Sequence, residues 1–241
     1  MRLDGVEIKV SLSDRQVARA LEVLELGGNG QPRRIGFIED TTVGVELPLF
    51  HQGVVLRVRQ VEDGDDDSTV KLRPCRRSQL AESWLGAEKG DGWKLRVEED
   101  WAGTRRALAA SCVAGLPPRR IAAAWEGKEP VGRLFNGGQW RFLSDCAGMP
   151  INLDALTLLP PVEAARWKEV RVQDVEDVAV EHWTIDELDF LELSIRKDTV
   201  EEAREAQAEL ERGIRALGLD RDDEHASKTE RVLALLVGLK P

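Results

Sequence analysis

Val54-Val55-Leu56-Arg57-Val58-Arg59-Gln60-Val61 alternates apolar and polar side chains, and beyond an acidic stretch Thr69-Val70-Lys71-Leu72-Arg73 does the same. Side chains at i and i+2 of a strand point to one face. Arg57 and Arg59 therefore share a face opposite Leu56 and Val58, and Lys71 and Arg73 share one opposite Val70 and Leu72. The run between them, Glu62-Asp63-Gly64-Asp65-Asp66-Asp67, contains the Asp-Gly of a hairpin tip, which makes the two basic strands neighbours. A calcium loop is the other reading of so many acids, but the twelve-residue spacing with a closing Glu is absent.

The same division recurs along the chain. Glu7 and Lys9 oppose Val6, Ile8 and Val10; Arg96, Glu98 and Asp100 oppose Leu95 and Val97; Glu192, Ser194 and Arg196 oppose Leu191, Leu193 and Ile195. Five strands thus carry one apolar and one densely ionic face. Two architectures account for this. An antiparallel sheet can set its core on one side and water on the other. Alternatively, a barrel can close around the ionic faces, with its apolar faces turned outward under helices. In the second case Lys and Arg would meet a polyanion inside and carboxylates would hold a hard divalent cation, because phosphate favours Arg forks and Mg²⁺ favours oxygen ligands. Parity leaves both open.

Elsewhere, Val17, Ala20, Leu21 and Leu24 follow Ser13 and Gln16 at helical spacing, up to the stop Gly27-Gly28-Asn29-Gly30. Ile35 to Asp40 reads as a strand. A helical stretch broken by Pro117-Pro118 is expected within residues 105–124, and strand-like pieces near 131–135, 139–143, 168–172 and 178–183. Capping boxes start two final helices, Thr199 with Glu202 and Ser227 with Glu230. No internal repeat or linker divides the chain, so residues 1–241 read as one domain.

With 34 basic and 44 acidic residues the net charge is −10, which disfavours a general binder of nucleic acid or acidic membrane. An anion site must therefore be a local concentration of Lys and Arg. Cys75, Cys112 and Cys146 are far apart and odd in number, and His51, His182 and His225 are scattered, so neither a disulfide framework nor a Cys/His metal cluster is implied. The opening Met1-Arg2-Leu3-Asp4-Gly5 has no apolar leader core and no stretch reaches a membrane span, so a cytoplasmic protein is expected, as monomer or homodimer. The seven Trp residues read as core and helix-packing groups. His182, beside Glu181 and Trp183, reads as a surface or core residue rather than a general base.

Taken in order, these segments resemble the CYTH family, or triphosphate tunnel metalloenzymes. The family's opening Glu-x-Glu-x-Lys is matched by Gly5-Val6-Glu7-Ile8-Lys9, its Leu-Arg-x-Arg by Leu56-Arg57-Val58-Arg59, and its Thr-x-Lys by Thr69-Val70-Lys71. Its Arg-x-Glu-x-acid strand is matched by Arg96-Val97-Glu98-Glu99-Asp100, and its Phe-Leu-Glu-x-Glu by Phe190-Leu191-Glu192-Leu193-Ser194; Ser227-Lys228 before the last helix is also similar. The resemblance implies an α+β fold, a closed antiparallel eight-stranded β-barrel wrapped by helices. It implies a small triphosphate compound bound by Lys9, Arg57, Arg59, Lys71, Arg73, Arg96 and Arg196. Mg²⁺ or Mn²⁺ would be held by Glu7, Glu98 and Glu192, with Glu98 and Asp100 serving hydrolysis. Arg141 is either a further tunnel cation or an ordinary exposed Arg. A non-catalytic triphosphate, polyphosphate or nucleotide binder and an adenylate cyclase are the alternatives. Two acids of the pattern are missing, at Gly5 and Ser194, and Asp4 has the wrong parity to replace the first.

Overall fold

The computed structural model describes residues 3–12, 14–42, 46–87, 89–222 and 227–238. Ser13 and His225 lie outside them. The strands are β1 (Val6–Leu12), β2 (Gln31–Asp40), β3 (Val54–Val61), β4 (Asp67–Leu72), β5 (Lys89–Gly90), β6 (Trp93–Ala102), β7 (Arg105–Gly115), β8 (Leu156–Leu158), β9 (Val162–Val172), β10 (Val175–Ile185) and β11 (Leu188–Lys197). The α-helices are α1 (Asp14–Val23), α2 (Pro48–His51), α3 (Arg120–Trp125), α4 (Gly137–Cys146), α5 (Val200–Ala216) and α6 (Lys228–Leu236).

Nine strands follow one another in the order β1-β11-β10-β9-β2-β3-β4-β7-β6, and β6 pairs back to β1. The sheet is therefore a closed barrel, with β5 and β8 as short additions on β6 and β2. Closure corrects two details of the expected fold. The ring holds nine strands rather than eight, and its last seam is parallel, with Glu7 beside Asp100. All other ring pairings are antiparallel.

The outward faces make the core. Leu56, Val58, Val70, Leu72, Leu95, Val97 and Cys112 pack under α3 and α4, and Val6, Ile8, Val10, Leu191, Leu193 and Ile195 under α1 and α5. A third cluster lies inside the barrel at one end: Ile35, Phe37, Trp183 and Phe190 share strand parity with inward charged residues and are covered by Val232 and Leu233 of α6. That apolar floor closes one end of the charged interior. No helix among the described residues is long and apolar enough to cross a membrane.

Two segments differ from expectation. Of residues 105–124 only the part after Pro117-Pro118 is helical, as α3 from Arg120, and residues 105–115 form the long strand β7; residues 131–134 and 137–146 form a 3₁₀ turn and α4, not strands. The Ala-rich sequence of β7 favours a helix locally, but pairing to β4 and β6 on both edges outweighs that preference. For α4 the signal was present. Asn136 and Gln139 form a reciprocal capping box, at 2.9 and 3.1 Å.

Candidate functional site

The barrel interior is a cavity of ≈ 1180 Å³ lined by side chains from nearly every ring strand. That exceeds the roughly 300–1,000 Å³ of ordinary small-molecule pockets, so it has room for a ligand together with water. Ten Lys and Arg residues line it against eight carboxylates, in a chain whose overall charge is −10. The interior is thus cationic relative to the exterior. Lys9, Arg57, Arg59, Lys71, Arg96 and Arg196 all line it, as do Glu7, Glu98 and Glu192.

One cationic group gathers on Asp100. Its Oδ2 lies 2.9 Å from Lys9 Nζ, 3.3 Å from Lys71 Nζ and 3.1 Å from Arg73 Nε. Burial acts to raise the Asp100 pKa, but these three charges outweigh it and hold the carboxyl below the usual range. Asp100 therefore positions three cations. The half-buried Lys71 responds in the opposite sense: burial, and then repulsion from Lys9, bring its pKa down to about 8. Lys9 also contacts Glu7 at 2.8 Å, and Asp100 and Glu7 together raise its pKa against burial.

A second group was only half legible in the sequence. Arg33 of β2 and Arg166 of β9 join Arg57 and Arg59 on the cavity wall. Glu181 lies 3.5 Å from Arg33 and 3.6 Å from Arg166, and Asp67 holds Arg59 at 2.8 Å. Glu181 is held down at about 2, since Lys228, Arg57, Arg166 and Arg59 outweigh its burial. Arg33, Arg57 and Arg166 each retain a buried Nε without a hydrogen-bond partner. Burial, then the neighbouring Arg59, push the Arg57 guanidinium down to about 10. Buried donors are normally satisfied, so these three Nε–H groups in one wall are left available to an acceptor entering the cavity. Arg33 stood outside the alternating runs quoted above, and no motif pointed to Arg166.

The carboxylates at the far side are already engaged. Arg196 Nη2 lies 3.2 Å from Glu7 Oε1 and 3.1 Å from Glu98 Oε2, and Lys228 Nζ lies 3.1 Å from Glu192. The Lys228 side chain is only 7% exposed and also stacks 3.9 Å over Trp183 in the apolar floor. Burial, then the nearby Glu7, raise the Glu98 pKa, whereas Lys9, Lys71 and Arg196 bring Glu7 to about 2 despite its burial. Among the described residues no three His, Cys, Asp or Glu side chains converge so as to hold a metal ion. Glu7, Glu98 and Glu192, the residues expected to hold Mg²⁺ or Mn²⁺, are each ion-paired to Lys or Arg in this structure.

The two missing acids have different physical reasons. Gly5 has φ +127°, and a Cβ there would lie 2.5 Å from the Lys197 carbonyl oxygen, so this backbone admits no Glu. Ser194 lines the cavity opposite Lys9 and is free of such a constraint. Asp4 does reach the cavity rim, but its carboxylate accepts the Val97 N–H at 2.6 Å. Arg141 is not brought to the site. It lies on α4, its side chain is 71% exposed, and it faces Asp145 at 3.6 Å. His182 does not line the cavity and bonds Asp189 instead.

A candidate adenylate cyclase from Bacillus halodurans superposes with TM-score 0.61 over 95% of this chain and 97% of that one, at 15% identity. A candidate adenylyl cyclase from Hippeastrum, described as having a dominant triphosphatase activity, gives 0.62 over 98% and 97%, also at 15%. The likeness is one of fold. No family model and no curated protein matches the sequence.

Proposed function

We propose that the chain is a CYTH-type protein that binds a small compound carrying a linear triphosphate inside the barrel. The observation that carries this reading is the row of Arg33, Arg57 and Arg166 on the cavity wall, whose buried Nε atoms lack hydrogen-bond partners. Lys9, Arg59, Lys71 and Arg96 extend the same wall, whereas Arg73 does not line the cavity and pairs with Asp100 at 3.1 Å. A phosphate chain spreads its charge over many oxygens and can satisfy all of these wall donors at once. Calorimetry with inorganic triphosphate, ATP and thiamine triphosphate tests it. Binding weakened about tenfold or more by Arg59→Ala is expected, on the scale of a charged hydrogen bond. An affinity indifferent to that change defeats the reading.

Hydrolysis of the bound anhydride is the second reading. Glu98 favours it: its buried carboxylate is raised in pKa, lines the cavity, and has an Oε2 that is ion-paired to Arg196 at 3.1 Å but accepts no hydrogen bond. Such a group can accept a proton from water, while the Lys and Arg wall stabilises charge on the departing phosphate. The neighbouring fold described as a triphosphatase supports the same chemistry. Phosphate release from the three compounds, abolished by Glu98→Gln and by Arg59→Ala, is the expected result. Binding without release assigns the barrel to capture alone, and a cyclic product from ATP assigns it to cyclisation.

A further inference from the structure

Arg196 belongs to the inward row of β11, and β1 lies between β11 and β6 in the ring. One of its nitrogens, Nη2, reaches Glu7 on β1 and Glu98 on β6, at 3.2 and 3.1 Å. The bond to Glu7 has hydrogen-bond geometry, and the approach to Glu98 is an ion pair without it. Two residues before Arg196 stands neutral Ser194, and two before that Glu192, tied to Lys228 at 3.1 Å. The backbone at Gly5 excludes a further acid from β1. Lys9 adds a contact to Glu7 at 2.8 Å, so three carboxylates are matched by three cations of the chain, and the positions that could complete an oxygen cage are a glycine and a serine.

We propose that Arg196 and Lys228 are resident counter-cations for Glu7, Glu98 and Glu192, so that the barrel takes up its triphosphate ligand without a divalent metal. This rests on the triphosphate reading above. A divalent ion entering here would have to displace a guanidinium from between two carboxylates, and would find Ser194 where hard cations favour carboxylate oxygen. Arg196 keeps further N–H donors for phosphate, since a guanidinium has five and only Nη2 serves the two carboxylates.

Two titrations of the whole chain test this. In the first, Mn²⁺ is added to ligand-free protein and free Mn²⁺ is followed by its electron paramagnetic resonance signal. The wild type leaves the signal unchanged, and Arg196→Gln, which vacates the space between Glu7 and Glu98, depletes it. Depletion by the wild type that Glu98→Gln removes overturns the proposal. In the second, inorganic triphosphate is titrated calorimetrically with EDTA and with Mg²⁺. Wild-type affinities should agree within about twofold, whereas Arg196→Gln should become about tenfold weaker in EDTA and Arg196→Lys should stay metal-independent. A wild-type affinity about tenfold weaker in EDTA defeats this inference and leaves the triphosphate reading standing. Absence of binding in both buffers defeats the triphosphate reading itself, and an Arg196→Gln protein like the wild type in both titrations overturns the role of Arg196.

Discussion

Arg57 stands beside Arg59 with its Nε buried and without a partner, and burial, then the neighbouring Arg59, lower its pKa to about 10. Such a residue burdens the empty fold and is useful only to a ligand, because a buried unpaired charge loses hydration without compensation. Arg57→Met keeps an unbranched apolar stem and removes the charge. It should raise the melting temperature of the ligand-free protein while weakening triphosphate binding about tenfold or more. A melt lowered together with affinity would mean that Arg57 is structural. Gly5 makes the converse argument. A Glu there would restore the resembled motif on paper, but the positive φ and the 2.5 Å approach to Lys197 O oppose any side chain. Gly5→Glu should destabilise the fold by about 2–4 kcal/mol in chemical denaturation and add no metal affinity. A stable, Mn²⁺-binding Gly5→Glu protein would show that the β1–β11 seam relaxes.

Legibility divides along the elements by how much local pattern each one carries. β1, β3, β4, β6 and β11 alternate cleanly because one face meets helices and the other meets ionic solvent or ligand, so their inward residues could be read by parity. β7 could not. Its inward Ser111 stands opposite both Lys71 and Arg96, where a small side chain leaves room for long charged ones. The requirement for small residues removed the apolar alternation that marks a strand, and an Ala-rich run remained that resembles a helix. The same requirement yields a test. Ser111→Leu fills the space between Lys71 and Arg96 on the cavity wall while leaving the outward core untouched. Triphosphate affinity should fall by about tenfold, with the melting temperature shifted by no more than a few degrees. Full affinity in that variant would place the ligand away from β7. Arg33 and Arg166 were missed for a different reason: they sit on strands whose charges are too mixed to single out one face, and only ring closure brings them beside Arg57.

At the scale of the molecule, closure converts an ambiguous set of amphipathic strands into a cationic interior inside an acidic protein. Parity alone left the half-solvated sheet and the closed barrel open, because both place the same residues on the same faces. The parallel seam between β1 and β6, made by the two ends of the ring, decides between them and has no signature in either strand. Closure also couples the interior charges to one another, which gives the ligand a proton to handle. Lys71 is brought to about 8 by burial and by Lys9, so in the empty barrel it is charged below pH 8 and neutral above. A triphosphate beside it favours the ammonium form, so binding above pH 8 takes up a proton and affinity falls as pH rises. Lys71→Arg keeps the charge at every accessible pH, since a guanidinium does not deprotonate there. Calorimetry at pH 8.5 in two buffers of different ionisation enthalpy should show more proton uptake in the wild type than in Lys71→Arg. At pH 6.5 the two proteins should not differ. Taking the difference between the two proteins removes the ligand's own titration. Equal uptake at pH 8.5 would place Lys71 outside the ligand's reach and leave Lys9 and the arginine wall to hold the phosphate chain.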